Sequence, residues 1–205
     1  MIAIIDYGLG NLKAFFNVYK SLNIPVIIAK VSEDLENASK VIIPGVGSFD
    51  YAMERLNKSG MRQTLDEIVT HLNVPVLGVC VGMQMLARSS EEGTLQGLGW
   101  IDGEVKKFDP STLVQSTRLP HMGWNDVRPI VKNSLFNGLE QDARFYFLHS
   151  YYFYCHKREN VIAVTDYGGE FVCAVNSGNI FGVQFHPEKS HQCGIQLLKN
   201  FALMV

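Results

Sequence analysis

Short, wholly apolar runs recur through the first half of the chain, each followed by a stretch with helical periodicity. No other feature restricts the fold as strongly. Ile2-Ala3-Ile4-Ile5 runs straight into Asp6 and is of the kind buried on both faces of a parallel sheet. After the Gly8-Leu9-Gly10 turn, Leu12, Phe15, Phe16 and Tyr19 fall at helical spacing. Pro25 to Ala29 reads as a second strand, Ser32 with its acidic followers as the cap of a short helix, and Val41-Ile42-Ile43 as a third strand ending at Pro44-Gly45. Helical pattern fills Ser48 to Leu72, broken at Ser59-Gly60. Val74 to Leu77 then opens a fourth strand, and Met83 to Ala87 a further helix. Successive strand–helix units predict an α/β fold: a mostly parallel twisted sheet with helices on both faces.

The second half changes character. Phe145 to Tyr154 is one long β-prone run rich in aromatics, followed by short strands at Val161 to Thr165, Phe171 to Val175 and Ile180 to Phe185. The turns between them, Asp166-Tyr167-Gly168-Gly169 and Asn176-Ser177-Gly178-Asn179, suit hairpins. An antiparallel flank on the parallel core is therefore expected, closed by a helix over Cys193 to Leu203. With no repeat, low-complexity segment or linker, residues 1–205 read as a single domain.

Charge and cysteine usage exclude several classes. The formal net charge is −2 and there is no long basic run, which argues against nucleic acid or an anionic membrane as partner. The first apolar run is too short for a signal-peptide core or a membrane span, so a cytoplasmic protein is expected. Cys80, Cys155, Cys173 and Cys193 show no paired spacing, which favours free thiols in a reducing compartment. His186, His191 and Cys193 match no zinc pattern, so neither a metal nor a cofactor is expected.

The fourth strand runs into Gly78-Val79-Cys80-Val81-Gly82 and then a helix. Strand, Gly-x-Cys-x-Gly, helix is the cysteine form of the nucleophile elbow. Its glycines permit a turn too tight for a Cβ, and the sulfur is set at a helix start, where free N–H groups favour negative charge. A buried cysteine in a glycine-rich turn would leave the same trace. Phe185-His186-Pro187-Glu188 stands at the end of the last strand, on the sheet edge where α/β sites collect. His186 is the candidate base and acid for a thiol nucleophile, and Glu188 the carboxylate that orients it across the bend at Pro187. Pro44-Gly45-Val46-Gly47 can aim backbone N–H groups of Val46 and Gly47 at one point; with the Val81 N–H they make a candidate oxyanion hole. The missing Lys-Ser/Thr argues against a phosphate loop there, and Gly8-x-Gly10 fails as a dinucleotide fingerprint because Lys13 stands in place of the third glycine.

Together, Pro44-Gly-Val-Gly47, Gly78-x-Cys80-x-Gly82-Met-Gln84 and Phe185-His186-Pro-Glu188 resemble the class I glutamine amidotransferases, which are flavodoxin-like. Asp6-Tyr-Gly-Leu-Gly-Asn11, Pro120-His-Met-Gly-Trp-Asn125 and Phe145-Tyr-Phe-Leu-His-Ser-Tyr151 are similar to the glutaminase subunits of imidazole glycerol phosphate synthase, which act in histidine biosynthesis. The resemblance spans the chain. It implies hydrolysis of L-glutamine to glutamate and ammonia through a thioester on Cys80, with Gln84, Glu92, Ser150 and Tyr151 in the glutamine pocket. It also implies a heterodimer with a (β/α)8-barrel cyclase, which uses the ammonia to make imidazole glycerol phosphate and an aminoimidazole carboxamide ribotide. Asn11, His121, Trp124, Asn125 and Lys189 would face that partner. Ala14, where the family often has Ser, and Val81, where Leu is common, are departures that remove no catalytic group. A paralogous glutaminase feeding amidino-sugar synthesis is the alternative within the class. A flavodoxin-like cysteine hydrolase lacks the His-Pro-Glu, and a redox-sensing binding protein would use Cys80 only as an oxidisable thiol.

Overall fold

The computed structural model describes residues 1–109, 111 and 119–204. In chain order the strands are β1 (Ile2–Ile5), β2 (Val26–Ala29), β3 (Lys40–Gly45), β4 (Val76–Cys80), β5 (Ser89–Ser90), β6 (Gly103–Lys107), β7 (His121–Asp126), β8 (Arg128–Pro129), β9 (Arg144–His149), β10 (Tyr151–Cys155), β11 (Val161–Asp166), β12 (Glu170–Ser177) and β13 (Ile180–Val183). The α-helices are α1 (Leu12–Ser21), α2 (Phe49–Lys58), α3 (Arg62–Thr70), α4 (Val81–Gln84) and α5 (His191–Leu203).

An eight-stranded sheet forms the core, in the order β2-β1-β3-β4-β13-β12-β11-β8. Its first five positions are mutually parallel and repeat the flavodoxin-like 2-1-3-4-5 order. The fifth position is filled by β13, which arrives only after the chain has built the antiparallel flank of β12, β11 and β8. A three-stranded sheet, β10-β6-β5, and a two-stranded ribbon, β7–β9, lie beside it. The parallel strands are apolar because both faces are covered: all of β1 and all of β4 is buried. Each such Val, Leu or Ile contributes about 1.5–3 kcal/mol on leaving water.

Three elements depart from the sequence reading. The run from Phe145 to Tyr154 is two strands, β9 paired with β7 and β10 paired with β6, parted at Ser150. Alternation within a run reports local burial and says nothing of which partner each half will take. The last strand ends at Val183, two residues early: the Gln184 N–H still reaches Cys173 O opposite it on β12, but the His186 N–H leaves that partner for Tyr146 O on β9. The helix after the elbow is a single turn. Its continuation is prevented because the carbonyls of Met85, Leu86 and Ala87 accept from Leu98, Ile101 and Gly99. No helix among the described residues is long and apolar enough to cross a membrane.

Candidate active site

The elbow between β4 and α4 sets the geometry. Cys80 has φ 57° and ψ −114°, a backbone state that costs a non-glycine residue about 1–3 kcal/mol. The turn is tight enough that a Cβ on Gly82 would strike the Ile43 carbonyl and one on Gly78 the Gly82 carbonyl. Cys80 is 3% exposed, with its sulfur 3.8 Å from the Leu148 carbonyl and 3.8 Å from the Gln184 Nε2.

His186 faces the same cavity as Cys80, and its ring interacts with the Cys80 side chain strongly enough to favour the protonated form. Its Nδ1 lies 2.9 Å from Glu188 Oε1. A short 3-10 turn, Pro187–Lys189, folds the carboxylate back onto the ring. That turn is fastened by Ser190, whose hydroxyl donates to His186 O at 2.6 Å and accepts the Tyr146 N–H at 3.0 Å. Both members of the ion pair are nearly sealed from water, their side chains 3% and 2% exposed. Burial alone would push the imidazole pKa down. Hydrogen bonds to Cys80 and Glu188, and the charges on both, overcome it and raise the pKa to about 10. The Glu188 Oε2 has no partner within the protein, so the carboxylate's charge is answered through its other oxygen.

Cys80 and His186 open onto a cavity of about 280 Å³. Val46, Gly47 and Val81 line it on one side, and Gln84, Glu92, Ser150, Tyr151 and Lys189 on others; Pro120, Leu148 and His149 complete the wall. Gly47 has φ +91°, so the strand turns there through a state open to glycine. The turn is braced by Tyr7, whose hydroxyl donates to Pro44 O at 2.5 Å. Burial, with the Cys80 charge second, keeps that phenol protonated. Glu92 accepts the Phe49 N–H at 2.8 Å, capping α2 from outside its own segment. Burial raises its pKa, the Phe49 bond opposes this and the nearby Asp50 charge assists it. Asp50 in turn accepts from the Thr94 and Leu95 N–H groups, so the 92–95 loop and the start of α2 hold each other.

Among the residues expected to face a partner, Trp124 is 42% exposed. It stacks on His191 at 5.1 Å and 6°. Asn11 is exposed and caps α1 by accepting the Ala14 N–H at 3.3 Å. Lys189 is exposed with its Nζ 5.7 Å from the Tyr146 ring. His121 corrects the expectation. It is 2% exposed, sandwiched between Phe147 at 4.6 Å and Tyr167 at 3.9 Å. Asn125 is half-buried and donates to Asp166 O at 2.7 Å. Alternation along β7 explains the difference: His121 points inward, whereas Met122 and Trp124 leave the core.

Sequence reasoning passed over Gln184, His149 and Tyr7. Gln184 carried a legible signal, a polar residue inside the apolar run Ile180 to Phe185 and two positions before His186, hence on the same side of an extended chain. No group of His, Cys, Asp and Glu side chains among the described residues is arranged to hold a metal ion.

A family model described as glutamine amidotransferase class-I matches residues 3–205. "Imidazole glycerol phosphate synthase subunit HisH" of Bdellovibrio bacteriovorus is 57% identical over 202 residues, 98% of this chain and 99% of that one. The protein of the same name from Leptospira interrogans is 56% identical with the same coverage. A solved glutamine amidotransferase superposes with a TM-score of 0.74 at 17% identity, over 98% of this chain and 99% of the other. The glutaminase domain of Trypanosoma brucei CTPS, with bound acivicin, gives 0.63 at 18% over 98% and 93%. At such identities these two likenesses speak for the fold alone. Family model and relatives both run nearly the whole length of the chain, which belongs to the class I glutamine amidotransferases and, within them, to the imidazole glycerol phosphate synthase HisH subunits.

Proposed function

We propose that residues 1–205 form one glutaminase domain that hydrolyses L-glutamine to glutamate and ammonia for the imidazole glycerol phosphate synthase reaction of histidine biosynthesis. The observation that carries this reading is the buried Cys80–His186–Glu188 set at a strained elbow, open to a cavity sized for an amino acid. The Cys80 sulfur attacks the carboxamide carbon of glutamine. The carbonyl oxygen becomes an oxyanion, met by the Val81 N–H and by N–H groups of Val46 and Gly47. His186, held by Glu188, gives its proton to the leaving nitrogen, and ammonia departs as the C–N bond breaks. His186 then takes a proton from water, whose oxygen attacks the thioester, and glutamate leaves as the sulfur is released. Glu92, Gln84, Ser150 and Tyr151 bind the amino-acid end of the substrate, where an ammonium needs an anionic partner.

The partner is a (β/α)8-barrel cyclase docked over the cavity mouth, in a heterodimer working in the cytoplasm. Support comes from the name of the relatives, which designates a subunit, and from exposed Met122, Trp124, Leu148 and Val46 on that side of the chain. Exposed aromatic anchors of this kind recur at interfaces. Asn11 and Lys189 belong to the same face.

Cys80→Ala tests the reading directly. In the complex, glutamine-dependent synthesis falls by at least about a thousandfold, whereas synthesis supplied with free ammonia persists, because that chemistry belongs to the partner. A glutamine-like electrophile, followed by peptide mapping, labels Cys80 in the unaltered chain. Retained glutamine use by Cys80→Ala would remove the nucleophile from this assignment.

A further inference from the structure

His121 and His149 lie outside the reaction just described, yet they sit in contact with each other inside an aromatic box. His121 Nδ1 is 2.9 Å from His149 Nε2. His149 Nδ1 is 2.8 Å from the Tyr151 carbonyl, and Asn125 Nδ2 is 3.3 Å from His121 Nε2. A carbonyl only accepts, so His149 carries its proton on Nδ1 and presents a bare Nε2. His121 must then donate from Nδ1, which leaves its Nε2 to accept from Asn125. One tautomer of each neutral ring satisfies every contact.

The chain of bonds continues into the cavity. Gln84 Nε2 donates to the same Tyr151 carbonyl at 3.0 Å and to Gln184 Oε1 at 3.0 Å. The Gln184 Nε2 then points at the Cys80 sulfur, 3.8 Å away. Both N–H groups of Gln84 are thereby used, and its oxygen is the group it has left for a ligand.

We propose that His121, His149 and Gln184 are positioning residues that hold the Gln84 carboxamide with its oxygen toward bound glutamine and fasten the Ser150-Tyr151 wall to the β7–β9 ribbon. This rests on the glutaminase reading. Phe108, Phe147, Tyr167 and Phe171 pack around the two histidines, so two further aromatic rings would fill the box without any polar group to satisfy. Polar rings there cost desolvation, and a network with every member bonded returns a unique arrangement in exchange. Burial holds both rings neutral, with pKa values lowered to about 4 for His121 and about 3 for His149. A protonated His149 would turn a second N–H against the His121 donor and break the chain at its centre.

The experiment uses the full chain with its cyclase partner. His149→Leu and His121→Phe raise the KM for glutamine about tenfold, the worth of one well-made buried hydrogen bond, while kcat changes less than about threefold. His149→Asn, whose amide nitrogen stands near the place of the ring Nδ1, recovers most of the lost affinity. A purely structural role would lower melting temperature and the active fraction with KM unmoved, and that result overturns the proposal, as does His149→Asn behaving like His149→Leu. Nitrogen-15 spectra of histidine-labelled protein at pH 7 give a readout independent of turnover. Both rings appear as neutral Nδ1–H tautomers if the relay exists, and an Nε2–H tautomer at either position overturns it. Absence of glutamine hydrolysis by the unaltered complex would instead sink the glutaminase reading, and the spectra would still decide the relay.

Discussion

Cys80 is held in a backbone state that its side chain disfavours, and the glycines around it show why the strain persists. Gly78 and Gly82 let β4 and α4 approach so closely that the residue between them has no other route through the turn. Cys80→Gly should therefore exceed Cys80→Ala in stability by about 1 kcal/mol, since only glycine escapes the strain. At an ordinary position alanine is the more stable of the two. Chemical denaturation of both variants measures the difference, and the usual order would mean the turn is relaxed. At this scale the sequence was informative wherever a residue's role is local. Cys80 between its glycines and Glu188 two positions from His186 are patterns within a few residues. Gln184, His149 and Tyr7 act across the sheet, and nothing near them in the chain names their partners.

The loop bearing Glu92 and the start of α2 are joined by reciprocal carboxylates, and one of the two lines the cavity. Glu92 accepts the Phe49 N–H, while Asp50 accepts the Thr94 and Leu95 N–H groups. Glu92→Gln keeps an oxygen for the Phe49 N–H but removes the charge. It should bind glutamine more weakly with folding stability changed by less than about 0.5 kcal/mol. Glu92→Ala should lose the cap as well, about 1 kcal/mol. Calorimetric melting with glutamine-dependent kinetics separates the two effects. Equal loss of stability in both variants would place the charge, not the cap, at the centre of this contact. Element boundaries follow the same division as residues. α2 and α3 fall where the Ser59-Gly60 break announced them, because helix periodicity and its interruption are local. The split of the aromatic run at Ser150 depended on two different pairing partners, which the run itself does not encode.

For the whole molecule, the buried histidines give stability a pH profile with two limbs. His186 has a folded pKa raised to about 10, so between its ordinary 6.5 and 10 the folded state keeps a proton that the unfolded chain has released. Stability on that limb falls as pH rises. His121 and His149 have folded values lowered to about 4 and 3. Below 6.5 the unfolded chain gains protons that these rings refuse, so stability falls with acid, by up to about 1.4 kcal/mol per pH unit for each ring. The melting temperature is thus expected to peak near pH 6.5, and His186→Ala should flatten the alkaline limb. An unchanged alkaline slope in that variant would place the responsible group elsewhere. The parallel core and its antiparallel flank were foreseeable from strand–helix alternation and hairpin turns. The position of β13 was not, because strand order is a property of the assembled sheet.

That position governs when the molecule becomes chemically competent. The edge of β4 that ends at Cys80, the proposed nucleophile, is covered by residues 180–183, and His186, the proposed base, follows them. During synthesis the thiol emerges about a hundred residues before anything can activate it, while the neighbouring strand edge stays open for pairing. On the proposed roles, a chain released early keeps its cysteine and lacks its base, so incomplete copies are expected to release no ammonia, which assay of a chain truncated before residue 180 would check.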